Sequence, residues 1–153
     1  MESRSAQDVI NKLNMKRHVE KGWYTETFRD PGKVDDRSHS TAIYYLLEGS
    51  LGKSHWHRVD AAEVWHYYAG APLVLELSYD NSTPSEQRVL GPNIFEDQAP
   101  QVVIEKDRWQ RAQSLGEWTL VGATVAPGFI EAAFEMAAPD WEPKDGRGPG
   151  TSK

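Results

Sequence analysis

Cysteine is absent from the 153-residue chain, which excludes disulfide staples and thiolate catalysis and permits a reducing compartment. Long apolar runs are missing as well. No stretch approaches the length of a membrane span, and the first twenty residues hold nothing like the apolar core of a secretory signal. Positive charge is in deficit: 17 Lys and Arg stand against 23 Asp and Glu, a formal net charge of -6. Such a chain cannot neutralise phosphates in bulk, so neither nucleic acid nor an anionic membrane surface is an expected partner. These absences predict a cytoplasmic protein.

What is present suffices for one core. Hydrophobic residues make up 39% and aromatics 10%, ordinary values for a single globular domain of this length. A short helix is expected over Ser5 to Leu13, with Ser5 and Asp8 as a capping pair and Ala6, Val9, Ile10 and Leu13 on one face. Asp30-Pro31-Gly32 and the charged run Lys33 to Arg37 read as an exposed loop. From Thr41 the texture becomes a series of short strand candidates: Thr41 to Leu47, Ser54 to Val59, Glu63 to Tyr68, Leu73 to Tyr79, Gln87 to Leu90, Gln101 to Glu105, Arg108 to Ser114, Thr119 to Val125 and Ala132 to Met136. Gly70-Ala71-Pro72, Asp80-Asn81, Gly91-Pro92, Leu115-Gly116 and Ala126-Pro127-Gly128 punctuate them. Strands at intervals of about ten residues without intervening helices predict an all-β antiparallel sandwich or barrel. The domain is expected to span residues 1–141. The polar, Pro- and Gly-rich residues 142–153 read as a disordered tail with Trp141 as its anchor.

Chemistry concentrates between Gly49 and Gly70. His55 and His57 are two apart and, on a strand, share a face, with Trp56 and Arg58 on the other. Glu63 follows six residues later, within reach from the next strand. Two imidazoles and a carboxylate converging in this way can hold a divalent metal or form a general base with its orienting partner. Alternation adds Trp65 and Tyr67 to the face of Glu63, as aromatic walls of a small-molecule pocket, and sends His66 to the opposite face. Ile43, Tyr45 and Leu47 share a face, so Tyr45 is a candidate pocket phenol.

The spacing of Gly49, His55, His57, Glu63 and Gly70 resembles the first motif of the cupin superfamily, with one extra residue before Glu63. The block Trp56-His57-Arg58-Val59, Glu63 to Gly70 and Pro72-Leu73 is similar to that of short single-domain cupins without an assigned reaction. Further blocks extend the likeness from about His18 to Pro143. They include Gly22-Trp23-Tyr24, Glu26 to Arg29, Trp109-Gln110 and Leu120 to Phe129. The resemblance implies a cupin jelly roll with a pocket at its open end and a homodimer. It also places Glu20 and Arg29 at the pocket or against the dimer partner, and Gln110 where metal-binding cupins carry their last histidine. Two departures stand out. Glu105-Lys106-Asp107 replaces a Pro-x-Gly before Trp109-Gln110, and Arg17-His18-Val19-Glu20-Lys21-Gly22 replaces a Pro-His-Pro-Glu-Gly-Gly block.

The expected ligand is a small molecule and no organic cofactor is expected. The expected chemistry is a non-redox isomerisation, epimerisation or related cyclisation or elimination. In it His55 or His57 moves the proton, Glu63 orients, and Tyr45 or Gln110 polarises a carbonyl. Two alternatives stay open. One is a metal-dependent oxygenase, its two histidines and one carboxylate resembling a facial triad for Fe(II); the other is non-catalytic binding of a sugar- or nucleotide-like ligand. Whatever the reaction, His55, His57, Glu63 and Gln110 are the residues that could hold one divalent Zn, Fe, Mn or Ni ion.

Overall fold

The computed structural model describes residues 4–146. The one α-helix among the described residues, α1 (Ala6–Lys12), starts where the sequence places it. The Ser5 hydroxyl accepts the Asp8 N–H and the Asp8 carboxylate accepts the Ser5 N–H, each at 3.1 Å, closing a capping box. Thirteen strands follow: β1 (Lys16–Arg17), β2 (Trp23–Arg29), β3 (Lys33–Val34), β4 (Arg37–Ser38), β5 (Thr41–Glu48), β6 (His57–Val59), β7 (Ala62–Gly70), β8 (Leu73–Ser78), β9 (Glu86–Leu90), β10 (Gln101–Ile104), β11 (Trp109–Ser114), β12 (Trp118–Ala126) and β13 (Phe134–Met136). A six-stranded sheet, β1-β2-β5-β12-β7-β10, faces a five-stranded one, β13-β6-β11-β8-β9. All their strand pairs are antiparallel. The result is the expected all-β jelly roll. Among the described residues no helix is long and apolar enough to cross a membrane.

Alternation dictates the core. Leu73, Leu75 and Leu77 of β8 are fully buried, and they meet Leu47, Trp65 and Val121 from the other sheet. A second cluster packs α1, through Val9 and Ile10, against Leu46, Trp118 and Leu120.

Four features differ from the sequence reading. β2 was not among the expected strands; its exposed pattern from Glu26 onward hides the period of two on which such a reading depends. The charged run at 33–37 holds a small hairpin, β3–β4, with Asp35 and Asp36 at φ 52° and 64°, a conformation that Asp tolerates better than most residues. The strand expected from Ser54 begins only at His57. The start of the expected tail is held in place: Lys144 N–H bonds the Asp80 carboxylate at 2.7 Å, Arg111 meets Glu142 at 3.1 Å, and Pro143 and Asp145 are buried. Residues 147–153 lie outside the described residues.

Candidate active site

At one end of the barrel the sheets enclose a cavity of about 390 Å³, within the usual range for small-molecule pockets. Tyr24, Ile43, Val125, Phe129 and Phe134 form apolar walls, while Glu20, His57 and Glu63 bring polar groups into it.

His57 enters from β6 and is only 4% exposed. Its Nδ1 lies 2.8 Å from Glu20 Oε2 and 3.2 Å from the His55 carbonyl oxygen. Both neighbours are acceptors, so Nδ1 carries a proton in either charge state and Nε2 is the nitrogen that changes. Phe134 stacks on the imidazole at 5.1 Å because β13 pairs with β6 in that register. Burial alone would lower the pKa of His57. The Glu20 carboxylate, with smaller contributions from Glu63 and the His55 carbonyl, outweighs it and raises the value. Burial likewise opposes ionisation of Glu20, yet the imidazole beside it brings its pKa below the ordinary value. Each partner thus favours the charged form of the other, and an ion pair held out of water in this way is costly to break by removing one member.

Glu20 reaches this position through a turn between β1 and β2. His18 N–H bonds the Gly22 carbonyl at 2.9 Å, and His55 N–H bonds the Glu20 carbonyl at 3.2 Å. Lys21 and Gly22 both have positive φ, 86° and 83°. A Cβ on Gly22 would sit 2.7 Å from both the Tyr45 hydroxyl and the Leu46 carbonyl, so glycine is required there. Lys21 and Asp107, the latter at φ 65°, stand at the two positions where the resemblance implies glycine. The left-handed backbone thus persists at both departures, at some cost in strain.

Glu63, on β7, is 8% exposed. Gln110 donates Nε2–H to its Oε1 at 2.8 Å, and Trp65 donates Nε1–H to the Gln110 oxygen at 3.0 Å. Burial pushes the Glu63 carboxyl above its ordinary pKa; the His57 charge and the Gln110 bond only partly offset this. Nearby, Tyr45 donates its single O–H to the Lys21 carbonyl at 2.7 Å. Burial, reinforced by Glu20, raises its pKa far enough that it keeps that proton.

The expected residues therefore separate into groups. Tyr45, His57, Glu63, Trp65 and Glu20 line one cavity. Gln110 lies behind it, 1% exposed with both ends of its amide engaged. His55 precedes β6, does not line the cavity, and contributes backbone groups. Tyr67 is also outside, bonding the Gly70 carbonyl at 2.6 Å. Arg29 acts indirectly: its Nη1 donates to the Phe129 carbonyl at 3.0 Å, and Arg37 holds the Gly128 carbonyl at 2.7 Å, fixing the wall on which Phe129 sits. His66 faces away and bonds Thr124 at 3.2 Å.

Sequence reasoning missed His18 as a site residue. It lines the cavity, and its Nδ1 accepts the Glu20 N–H at 3.2 Å. Burial, against the pull of Glu20, lowers its pKa, so it is neutral with its proton on Nε2. Its signal is the Arg17-to-Gly22 block, which sets a histidine two residues before a site carboxylate.

The donor set does not fit the four-ligand metal centre considered from sequence. His55 does not converge with His57, the Gln110 oxygen accepts an indole N–H, and His57 Nδ1 is committed to Glu20. Among the described residues no group of three or more His, Cys, Asp or Glu is placed to hold a metal ion.

Two antiparallel sheets, with a polar site at the open end of the barrel, define a single-domain cupin. Residues 7–137 match the family described as Cupin_5, Cupin superfamily (DUF985), and the chain belongs to that family. A Shewanella oneidensis protein of known structure is 29% identical, with a TM-score of 0.82 over 88% of this chain and 85% of that one. A hypothetical protein from Leishmania major is 25% identical, with a TM-score of 0.80 over 86% of each chain. Oxalate decarboxylase from Bacillus subtilis shares the fold at 14% identity and a TM-score of 0.60; the likeness covers 81% of this chain and 30% of that one. No curated protein sequence matches this chain significantly.

Proposed function

We propose that the cavity catalyses a non-redox proton transfer on a small carbonyl compound, an isomerisation or epimerisation. The observation that carries this reading is the buried His57–Glu20 pair at 2.8 Å lining the same cavity as Glu63, with the pKa values of His57 and Glu63 both raised. Glu63, with Oε1 fixed by Gln110, takes a proton from the carbon next to the carbonyl through Oε2. The C–H electron pair moves into the new C=C bond as the carbonyl oxygen gains negative charge. His57 Nε2–H meets that oxygen and can protonate it, and the neutral His18 Nε2–H supplies a second donor. Glu63 returns its proton to the former carbonyl carbon while the neighbouring hydroxyl gives its own proton to His57, or to the other face of the same carbon while the enol oxygen gives its proton back to His57, so that both residues end as they began. A base with a raised pKa and a preorganised cation at the developing charge are what this chemistry needs. The roles differ from those expected from sequence: Glu20 orients His57, Gln110 positions Glu63, and Tyr45 holds the turn that carries Glu20.

The test is deuterium wash-in. The protein in D2O, with a panel of hydroxyketones and ketoses, is expected to exchange the C–H next to the carbonyl of at least one member, followed by proton NMR. Glu63→Gln and His57→Gln should each abolish exchange while the folded spectrum survives. Binding without exchange across the panel would instead indicate a binding module, and exchange that persists in both variants would remove the assignment.

A further inference from the structure

We propose that the cavity selects uncharged ligands, a hydroxy-carbonyl head on an apolar body, and rejects carboxylates and phosphates; this rests on the acid–base reading of the same site and narrows its substrate. The charged side chains that line the cavity are Arg17, Glu20, His57, Glu63 and Glu131. Arg17 is exposed, with its guanidinium over the Trp23 ring at 4.9 Å, and its charge is screened by solvent. At the buried end the cation is His57, already neutralised by Glu20 at 2.8 Å. An anionic head would therefore leave water to meet two carboxylates and no free cation, an arrangement that low-dielectric surroundings penalise heavily. An ammonium head is attracted by Glu63 but is a donor only, and so would leave the N–H groups of His57 and His18 unpaired in the cavity.

A neutral head has no such conflict. The polar groups offered are the N–H of His57, the N–H of His18, and the Glu63 carboxylate as acceptor. Two donors and an acceptor complement a carbonyl oxygen with a hydroxyl beside it. Beyond them the walls are Tyr24, Ile43, Val125, Phe129 and Phe134, which favour a carbon skeleton over a hydrated one. The nucleotide-like ligand considered from sequence carries the wrong charge for this end of the cavity.

The matched probes are 2-hydroxycyclohexanone, cyclohexanecarboxylate and cyclohexylammonium, one ring with three charges, titrated into the wild-type protein by calorimetry. The hydroxyketone is expected to bind at least about tenfold more tightly than either ion, and Phe129→Ala should weaken it. Glu63→Gln should improve carboxylate binding by about threefold or more. An ion binding within about threefold of the hydroxyketone, or no measurable hydroxyketone binding, overturns the proposal. The two readings fail separately. The predicted charge ranking without deuterium wash-in keeps the ligand class and removes the chemistry. Wash-in on a carboxylate substrate does the reverse.

Discussion

The two faces of the five-stranded sheet use neighbouring residues for opposite ends. On the inner face His57 meets Glu20, and its neighbours Glu63 and His18 also have displaced pKa values. On the outer face Arg111 lies over Trp56 at 4.6 Å, Arg58 lies over Trp109 at 4.8 Å, and Trp141 packs on Trp109 at 4.5 Å. Arg111 also pairs with Glu76 at 3.0 Å. Outside, each cation finds a ring or an acid and the product is a clamp on the C-terminal segment. Inside, two carboxylates and two imidazoles share too few compensating charges, and the product is a set of displaced pKa values. Similar residue types do different work because the inner set is buried around a cavity and the outer set is closed on itself.

The largest effect that separates the faces should follow Glu20→Ala. It leaves the His57 charge buried without its partner and is expected to cost about 3–5 kcal/mol of stability, measured by urea unfolding at neutral pH.

Glu76 should come next, through pH. Burial alone would raise its pKa, but Arg111 and Lys53 pull it down to about 2 from 4.5. A lowered carboxyl pKa contributes stability that is full above 4.5 and lost as pH falls toward about 2. At neutral pH that contribution is on the order of 2–3 kcal/mol, and Glu76→Gln should remove it, flattening the acid limb of a urea midpoint-against-pH curve. His57 carries the opposite sign: its raised pKa gives a contribution full below 6.5 and lost as pH rises through the folded-state value.

Trp141→Ala should cost about 2 kcal/mol, less than a fully buried Trp because the ring is half-exposed. It should leave the His57 titration unmoved; a displaced titration would show that the two faces are coupled. Smallest and opposite in sign, Lys21→Gly should raise stability by about 0.5–1 kcal/mol by relieving a left-handed lysine, read as an increase in Tm.

How much of this was legible in the sequence follows from periodicity. Alternation along β5, β6 and β7 put Tyr45, His57, Glu63 and Trp65 on inward faces, and all four line the cavity. The same rule failed one turn earlier. β6 begins at His57, so His55 is not on the strand that the spacing assumed, and the likeness of His-x-His to a metal motif is not matched in space. Glu20 came from family resemblance rather than pattern, and His18 not at all as a site residue. The turn that carries them crosses the barrel mouth through two positive φ angles, which no period of two encodes. Phe134 reaches the site through the pairing of β13 with β6, and Phe129 through its N–H bond to the Thr41 hydroxyl and the Arg29 bond to its carbonyl, contacts that lie far apart in the sequence.

The account rests on His57 being an imidazolium held by Glu20, and its side-chain titration by nitrogen-detected NMR tests this most directly. The predicted result is a native His57 that titrates above 6.5 with Nδ1 protonated throughout, and falls below its native value in Glu20→Gln. A His57 that titrates at or below 6.5 and ignores Glu20→Gln would contradict it.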